Sequence, residues 1–415
     1  MQSNEICYSI ADFWTWDGAM WEQLRWLRTN DPVHWSELDQ LFVLTRFEDT
    51  AYVSKHNDLF CSGDGVLPVN GIKLGLIDED EPRHTELRRL INKGFTPRMV
   101  KKLEGVFETI VKQAIDAVAA RGECDFVTDI AVPVPLLLIA EMLGIRREDF
   151  ERFHQWSNSM ILAQGRLHVP EVAARAGQAF AEYADYVTGI IEARRAEPED
   201  DLISILVHAK DEGVLVDFDH GPSDLDYGYQ RSEEDVSLNN DELIKFCVLL
   251  LVAGNETTRN GLSGAIQLLI EHPDQRQQLI DDPGKIPAAV EELLRLTSPV
   301  VSFVRTATQD TELRGQKIAQ GQKVLMIYPS ANRDPEEFED PDELDIGRNP
   351  HHLAFGVGNH FCLGANLARM ELRVALRELL RRLPDLEYSD GGPKMAPAAL
   401  VRSYQHIRVR FTPEG

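Results

Sequence analysis

Ten residues near the end of the chain constrain it more than any others: Phe355-Gly356-Val357-Gly358-Asn359-His360-Phe361-Cys362-Leu363-Gly364. The fixed elements are Phe355, Gly358, Cys362 and Gly364. From average residue usage, such a pattern arises by chance in roughly one chain per thousand of this length. A helical pattern follows at once through Ala365, Leu367, Ala368, Met370 and Leu372. The cysteine therefore lies in a glycine-rich loop at a helix start, where backbone N–H groups and the helix dipole favour a thiolate. The glycines let the backbone come close to something flat and large. A buried structural cysteine is the commoner fate of a lone thiol, but that fate does not demand these neighbours.

An isolated thiolate in such a cradle suits the axial position of a haem iron, where sulfur donation favours O–O cleavage. Other cysteine chemistry finds little support. Cys7, Cys61, Cys124, Cys247 and Cys362 are scattered, and no C-x-x-C pair exists. That argues against zinc, thioredoxin-like redox chemistry and covalent haem attachment, and for a reducing compartment. The chain has 415 residues, enough for an extensive core. Its formal net charge of −25 disfavours nucleic acid and anionic membranes as partners. The stretch from Met1 to Trp21 has no basic region followed by an apolar one, so no signal peptide is expected. The apolar run Phe246 to Ala253 is too short to span a bilayer. No membrane anchor and a cytoplasmic location are expected.

Most of the chain reads as helix. Thr96-Pro97 looks like an N-cap followed by proline at the first helical position. Helical periodicity runs from Glu171 to Ala196, from Leu243 to Ile270 and from Ile286 to Leu296, and His272-Pro273-Asp274 separates two helices. Strand signals are fewer: Leu41 to Leu44, Lys323 to Ile327, and a period-two pattern from His406 to Phe411. The stretch from Asn332 to Pro350 reads as loop. Val214 to Asn240 is acidic and without helical period, an inserted surface loop or a partner or lid element at about 214–240.

The helix from Leu243 to Ile270 carries a second constellation. Leu249, Val252, Ala253, Glu256, Thr257 and Asn260 recur at offsets of three and four, which puts an acid and an alcohol at the end of an apolar stripe. Ordinary polar residues on a solvated face would not continue such a stripe. The pair suits proton delivery to dioxygen, with Thr257 holding oxygen and water and Glu256 relaying protons. Gly254, costly in a helix interior, permits close approach to the backbone or a local opening.

A third set is basic. Glu292 and Arg295 stand at i and i+3, which alone is a weak surface-pair signal. Arg348 lies in the loop before the cysteine run. His84 and Arg88 share one helix face after Pro82, Arg305 follows the apolar segment Pro299 to Phe303, and His360 precedes Cys362 by two. Singly these are surface groups; jointly they fit the two propionates of one porphyrin.

In these motifs the chain resembles the cytochrome P450 superfamily over essentially its whole length. The cysteine run, Ala253-Gly254-Asn255-Glu256-Thr257, Glu292 with Arg295, the segment Asp80 to Thr85 with Arg88, and Ala331 to Pro335 all match in order. The resemblance implies one domain over 1–415, mainly α with a small β-rich lobe, holding haem b (heme b). It implies Cys362 as the iron ligand, with Phe355, Gly358 and Gly364 shaping the loop around it. His84, Arg88, Arg305 and His360 would hold the propionates. Glu256 and Thr257 would be the acid–alcohol pair, and Glu292, Arg295 and Arg348 a structural network.

The same resemblance implies a bacterial-type monomeric monooxygenase using O2, with electrons from a ferredoxin and its reductase. Arg89, Lys93, Arg369 and Arg373 offer a local basic patch for an acidic donor. The run Ala253 to Asn260 is similar to a subgroup hydroxylating sterols and branched lipids. Substrate-lining positions carried over are Val66, Leu67, Leu249, Ala253, Val300, Val301, Phe303, Ala399 and Leu400. None is charged, so a neutral lipophilic substrate of the sterol, terpenoid or branched-lipid class is favoured. The alternatives are a peroxide-driven peroxygenase, against which Glu256-Thr257 argues, and a non-catalytic haem sensor or electron carrier.

Overall fold

A single helix of 32 residues, Asn240–Glu271, spans about 48 Å at 1.5 Å per residue and organises the computed structural model. The structure describes Tyr8 and residues 14–68, 73, 75–95, 97–163, 166–208, 238–396 and 400–415. The acidic stretch expected as an inserted loop lies outside the described residues up to position 237, as do Thr96 and Ala399.

The long helix starts three residues before the expected Leu243, because a capping box closes its first turn. Asn239 Oδ1 accepts from the Glu242 N–H, and Glu242 Oε2 accepts from the Asn239 N–H, each at 2.9 Å. It ends before Pro273, which opens the next helix. Helices Pro133–Met142, Phe150–Leu162, Pro170–Ala196, Ile286–Thr297 and Ala365–Arg382 pack around it. Gly254 allows one of these approaches: a Cβ there would lie 2.8 Å from Ile139 Cδ1. The helix continues through this glycine without opening.

Leu41–Leu44 and Lys323–Ile327 form strands at their expected bounds and pair in parallel. They lie in a five-stranded sheet ordered Val33–Ser36, Leu41–Leu44, Lys323–Ile327, Ser302–Ala307, Phe60–Cys61. Period-two alternation sends Val324 and Met326 to one face and Leu325 and Ile327 to the other. The second face packs on Trp14, Trp16, Leu24 and Leu27, so both sides are covered. The pattern from His406 to Phe411 buries Ile407, Val409 and Phe411 as expected. It is nevertheless divided, because Ser403–His406 pairs with Lys394–Ala396 while Arg408–Arg410 joins Glu123–Asp125 and Glu387–Tyr388. Asp125 marks the change of partner by accepting the Ile407 N–H at 3.1 Å. The fold is mainly α with small β sheets, and among the described residues no helix is long and apolar enough to cross a membrane.

Candidate active site

The cysteine loop is held by its own backbone. The Cys362 N–H donates to the Phe355 carbonyl (2.9 Å), Gly356 to Leu353 (2.9 Å) and Phe361 to Gly358 (3.0 Å). Gly358 has φ of +77°, and a Cβ on it would collide with the Ser54 carbonyl. Ala365 then opens the helix Ala365–Arg382, with Gly364 as its N-cap residue. The Gly364 backbone, Arg88 and Arg369 all favour the thiolate, but burial outweighs them and raises the Cys362 pKa. The expected thiolate cradle is thus present but does not by itself ionise the sulfur; a metal cation would reverse the balance.

Cys362 opens onto a cavity of ≈ 1540 Å³, including its mouth to solvent. The long helix forms the facing wall with Phe246, Leu249, Leu250, Ala253, Gly254 and Thr257. These positions repeat at three and four residues, one face of one helix. Ala253 is exposed only in the sense that this face borders the cavity. Thr257 Oγ1 donates to the Ala253 carbonyl at 2.6 Å. Val66, Val300 and Phe303 complete an apolar side.

Cationic and imidazole groups gather at one edge. His84 is buried; its Nδ1 donates to Glu81 Oε1 at 3.2 Å, while its Nε2 is buried without a hydrogen-bond partner. Its ring lies 4.1 Å from that of His360, whose Nε2 contacts Ser62 Oγ at 3.1 Å. Burial and the adjacent Arg305 push the His360 pKa down to about 3. Arg305 is buried, donates to the Val304 carbonyl at 2.8 Å and pairs with no carboxylate among the described residues. Arg88 donates to the Phe361 carbonyl at 2.6 Å and likewise has no acidic partner among them.

A haem fits these residues. A buried guanidinium without counter-ion and an orphaned imidazole nitrogen are costly unless anionic oxygens complete them. Gly364 borders the cavity, and a Cβ there would meet nothing of this chain within 4 Å, so packing inside the chain does not explain the glycine.

Not every expected residue borders this cavity. Gly358 packs on Ser54 instead. Val301 turns to the opposite face of the sheet, among Trp14 and Val304. Leu67 is absent from the lining, and Leu400 borders a second cavity. Glu256, with Val252 and Asn260, lies on the flank of the long helix rather than on the cavity face. It is buried, 2.9 Å from Arg259 Nη2, and neither of its oxygens makes an aligned hydrogen bond. Burial raises its pKa against the pull of Arg259. Arg259 borders that second cavity, together with His154, Thr128, Asn158 and Tyr404.

Some lining residues escaped the sequence reading. Phe246 and Leu250 continue the Ala253–Thr257 period and were legible from helix geometry. Glu371, buried with Oε2 unpartnered, shares a helix face with Leu367 and Leu372, nine residues beyond Cys362. Tyr328 and Ile77 come from segments without a periodic signal.

The expected network is formed. Arg295 is fully buried and makes a two-pronged pair with Glu292 (2.7 and 2.8 Å). It also donates to the Asn332, Pro341 and Glu343 carbonyls, while Arg348 Nε reaches Glu292 Oε1 at 3.1 Å. These bonds fix the irregular stretch leading into the cysteine loop.

Comparison with known proteins bears on the whole chain. The Cytochrome P450 family model matches residues 39–282 and 286–408. A Steroid C26-monooxygenase of Mycolicibacterium smegmatis is 38% identical over 402 residues, 96% of this chain and 94% of that protein. A Methyl-branched lipid omega-hydroxylase of Mycobacterium bovis is 37% identical, over 88% of this chain and 82% of its own. A cytochrome P450 of Mycobacterium marinum solved with pseudoionone superposes with a TM-score of 0.86 at 33% identity, covering 99% of both chains. With the family model matched across almost its full length and such relatives beside it, the chain belongs to the cytochrome P450 family of haem-thiolate monooxygenases.

Proposed function

We propose that this monooxygenase hydroxylates a neutral lipophilic molecule of the sterol, terpenoid or branched-lipid class, with electrons from a separate ferredoxin-type donor and its reductase. The observation that carries the reading is the division of the cavity. Its long-helix side is apolar, and two guanidiniums without acidic partners among the described residues, Arg88 and Arg305, gather with the unpartnered Nε2 of His84 at the edge expected to hold the haem propionates. Cys362 would hold the iron, and Phe355, His360 and Gly364 would border the macrocycle. Bound there, the haem supplies the iron at which dioxygen is activated.

The remaining steps belong to the chain. Thr257 lends its hydroxyl, now tied to the Ala253 carbonyl, to oxygen and water at the cavity wall. Burial raises the Glu256 pKa against the pull of Arg259, which suits a relay group. Its route to solvent runs through Arg259 and the second, more polar cavity. Leu249, Ala253, Val300 and Phe303 exclude bulk water and orient an apolar substrate. A carboxylate-bearing substrate would find no further buried cation on that side. The names of relatives, a Steroid C26-monooxygenase and a Methyl-branched lipid omega-hydroxylase, point to the same class, and a similar P450 of Bacillus megaterium is solved with testosterone.

The test is optical titration of the ferric protein with sterols, terpenes, neutral branched lipids and charged aromatics. A low-to-high-spin shift saturating with sterols or branched lipids is expected. A tight response confined to charged aromatics would overturn the substrate class.

A further inference from the structure

The Phe355 ring is gripped from three separate segments. The Arg369 guanidinium, on the helix after the cysteine, lies over the ring 4.6 Å from its centroid. Glu291, on the helix Ile286–Thr297, fixes that guanidinium with two parallel bonds: Nε to Oε1 and Nη2 to Oε2, both 2.8 Å. His352, just before the loop, is buried with its ring 5.8 Å from the Phe355 ring. Its Nδ1 accepts from the Ala354 N–H at 3.1 Å, so the ring proton is on Nε2, which lies 3.3 Å from Glu291 Oε2 without an aligned hydrogen bond. The held ring belongs to the residue whose carbonyl receives the Cys362 N–H.

We propose that Glu291, Arg369 and His352 form a positioning clamp on Phe355 that fixes the Cys362 loop in the geometry that binds iron. The inference rests on Cys362 being the iron ligand. It goes beyond the Glu292–Arg295 network, which holds the preceding stretch and touches neither Phe355 nor Arg369.

The physical argument concerns geometry as well as charge. A bidentate carboxylate removes most of the freedom of a guanidinium, and a guanidinium fixed over a ring removes that of the ring. The Phe355 ring borders the cavity, edge-on to Phe361 at 6.4 Å between centroids. A ring so held shields the sulfur from water and preserves the Cys362–Phe355 backbone bond. Arg369 also attracts the sulfur's negative charge. Charge and clamp predict different things. Removing the positive Arg369 and the negative Glu291 would shift a purely electrostatic site in opposite directions. Loosening a clamp moves both variants the same way.

The experiment follows the ferrous–CO spectrum of the holoprotein in wild type, Arg369→Leu, Arg369→Lys and Glu291→Gln. The readout is the rate at which the thiolate-type band converts to the thiol-type band. Faster conversion in both Arg369→Leu and Glu291→Gln is expected, by about two- to fivefold from the loss of one stacking contact. Arg369→Lys keeps the charge but not the planar fork, so it should recover only part of the stability. Opposite shifts, an Arg369→Lys variant equal to wild type, or no change in any variant would overturn the clamp. A wild-type protein lacking the thiolate-type band would overturn the Cys362 assignment, and the clamp with it. Glu291→Gln is nearly isosteric, so the test survives if Arg369→Leu fails to bind haem.

Discussion

Thr257 and Glu256 are adjacent in sequence, yet a helix turns about 100° between neighbours, so only one of them can face the cavity squarely. The threonine does, and the glutamate lies on the flank beside Arg259. In the proposed function the hydroxyl is the group that holds oxygen and water. Thr257→Ala should leave substrate binding nearly intact while a large share of the electrons drains into peroxide. The check is the ratio of product to reduced donor consumed, with peroxide assayed in parallel; unchanged coupling would remove the role given to Thr257. Glu291 offers a pH test. Arg369 and His352 hold its pKa at about 2, below its ordinary value of 4.5. A depressed carboxylate contributes stability above its unfolded pKa and loses it as pH falls through the folded one. The denaturation midpoint of wild type should therefore exceed that of Glu291→Gln at pH 6, and the gap should close between about pH 4.5 and pH 2. A gap independent of pH would mean that ionised Glu291 contributes nothing beyond its shape.

Among the elements, the Glu292–Arg295 pair carries the largest single dependency. Both side chains are fully buried, and the guanidinium also serves three carbonyls from the stretch before the cysteine loop. Arg295→Met would strand the Glu292 charge and those carbonyls together, at a cost of about 3–5 kcal/mol. Loss of haem incorporation alongside a lowered denaturant midpoint is the expected result; a holoprotein of wild-type stability would refute the account. The pair was legible because i and i+3 share a helix face, but its burial was not, since partners from positions 332 to 348 have no local pattern. The same contrast runs through the site. Helix positions, the two strands Leu41–Leu44 and Lys323–Ile327 and the cysteine loop follow from period, proline and glycine, whereas the parallel pairing of those strands does not. Residues such as Tyr328, Arg259 and His352 join the two cavities and the clamp through long-range packing, which no short window contains.

At the scale of the whole molecule, charge distribution governs the encounter with an electron donor. The net charge of −25 would repel a donor of the proposed acidic ferredoxin type at long range. On the proposed docking face Arg89, Lys93 and Arg373 are exposed, and half-buried Arg88 bonds to the carbonyl of Phe361, whose ring is exposed. The two effects have different reach. With a Debye length of about 30 Å at 0.01 M salt, the whole-molecule repulsion acts; at about 10 Å and 0.1 M it is largely screened, while the local attraction persists. The second-order rate of reduction should therefore rise with salt from 0.01 M to about 0.1 M and fall again towards 1 M, where the Debye length is about 3 Å. Stopped-flow reduction across that series tests it. A rate that falls throughout would mean that the basic patch dominates at every range. A rate that rises throughout would mean that the donor docks elsewhere. Arg373→Glu should lower the maximum and leave the low-salt limb almost unchanged, because one charge matters little to a net of −25 but much to a patch of a few cations.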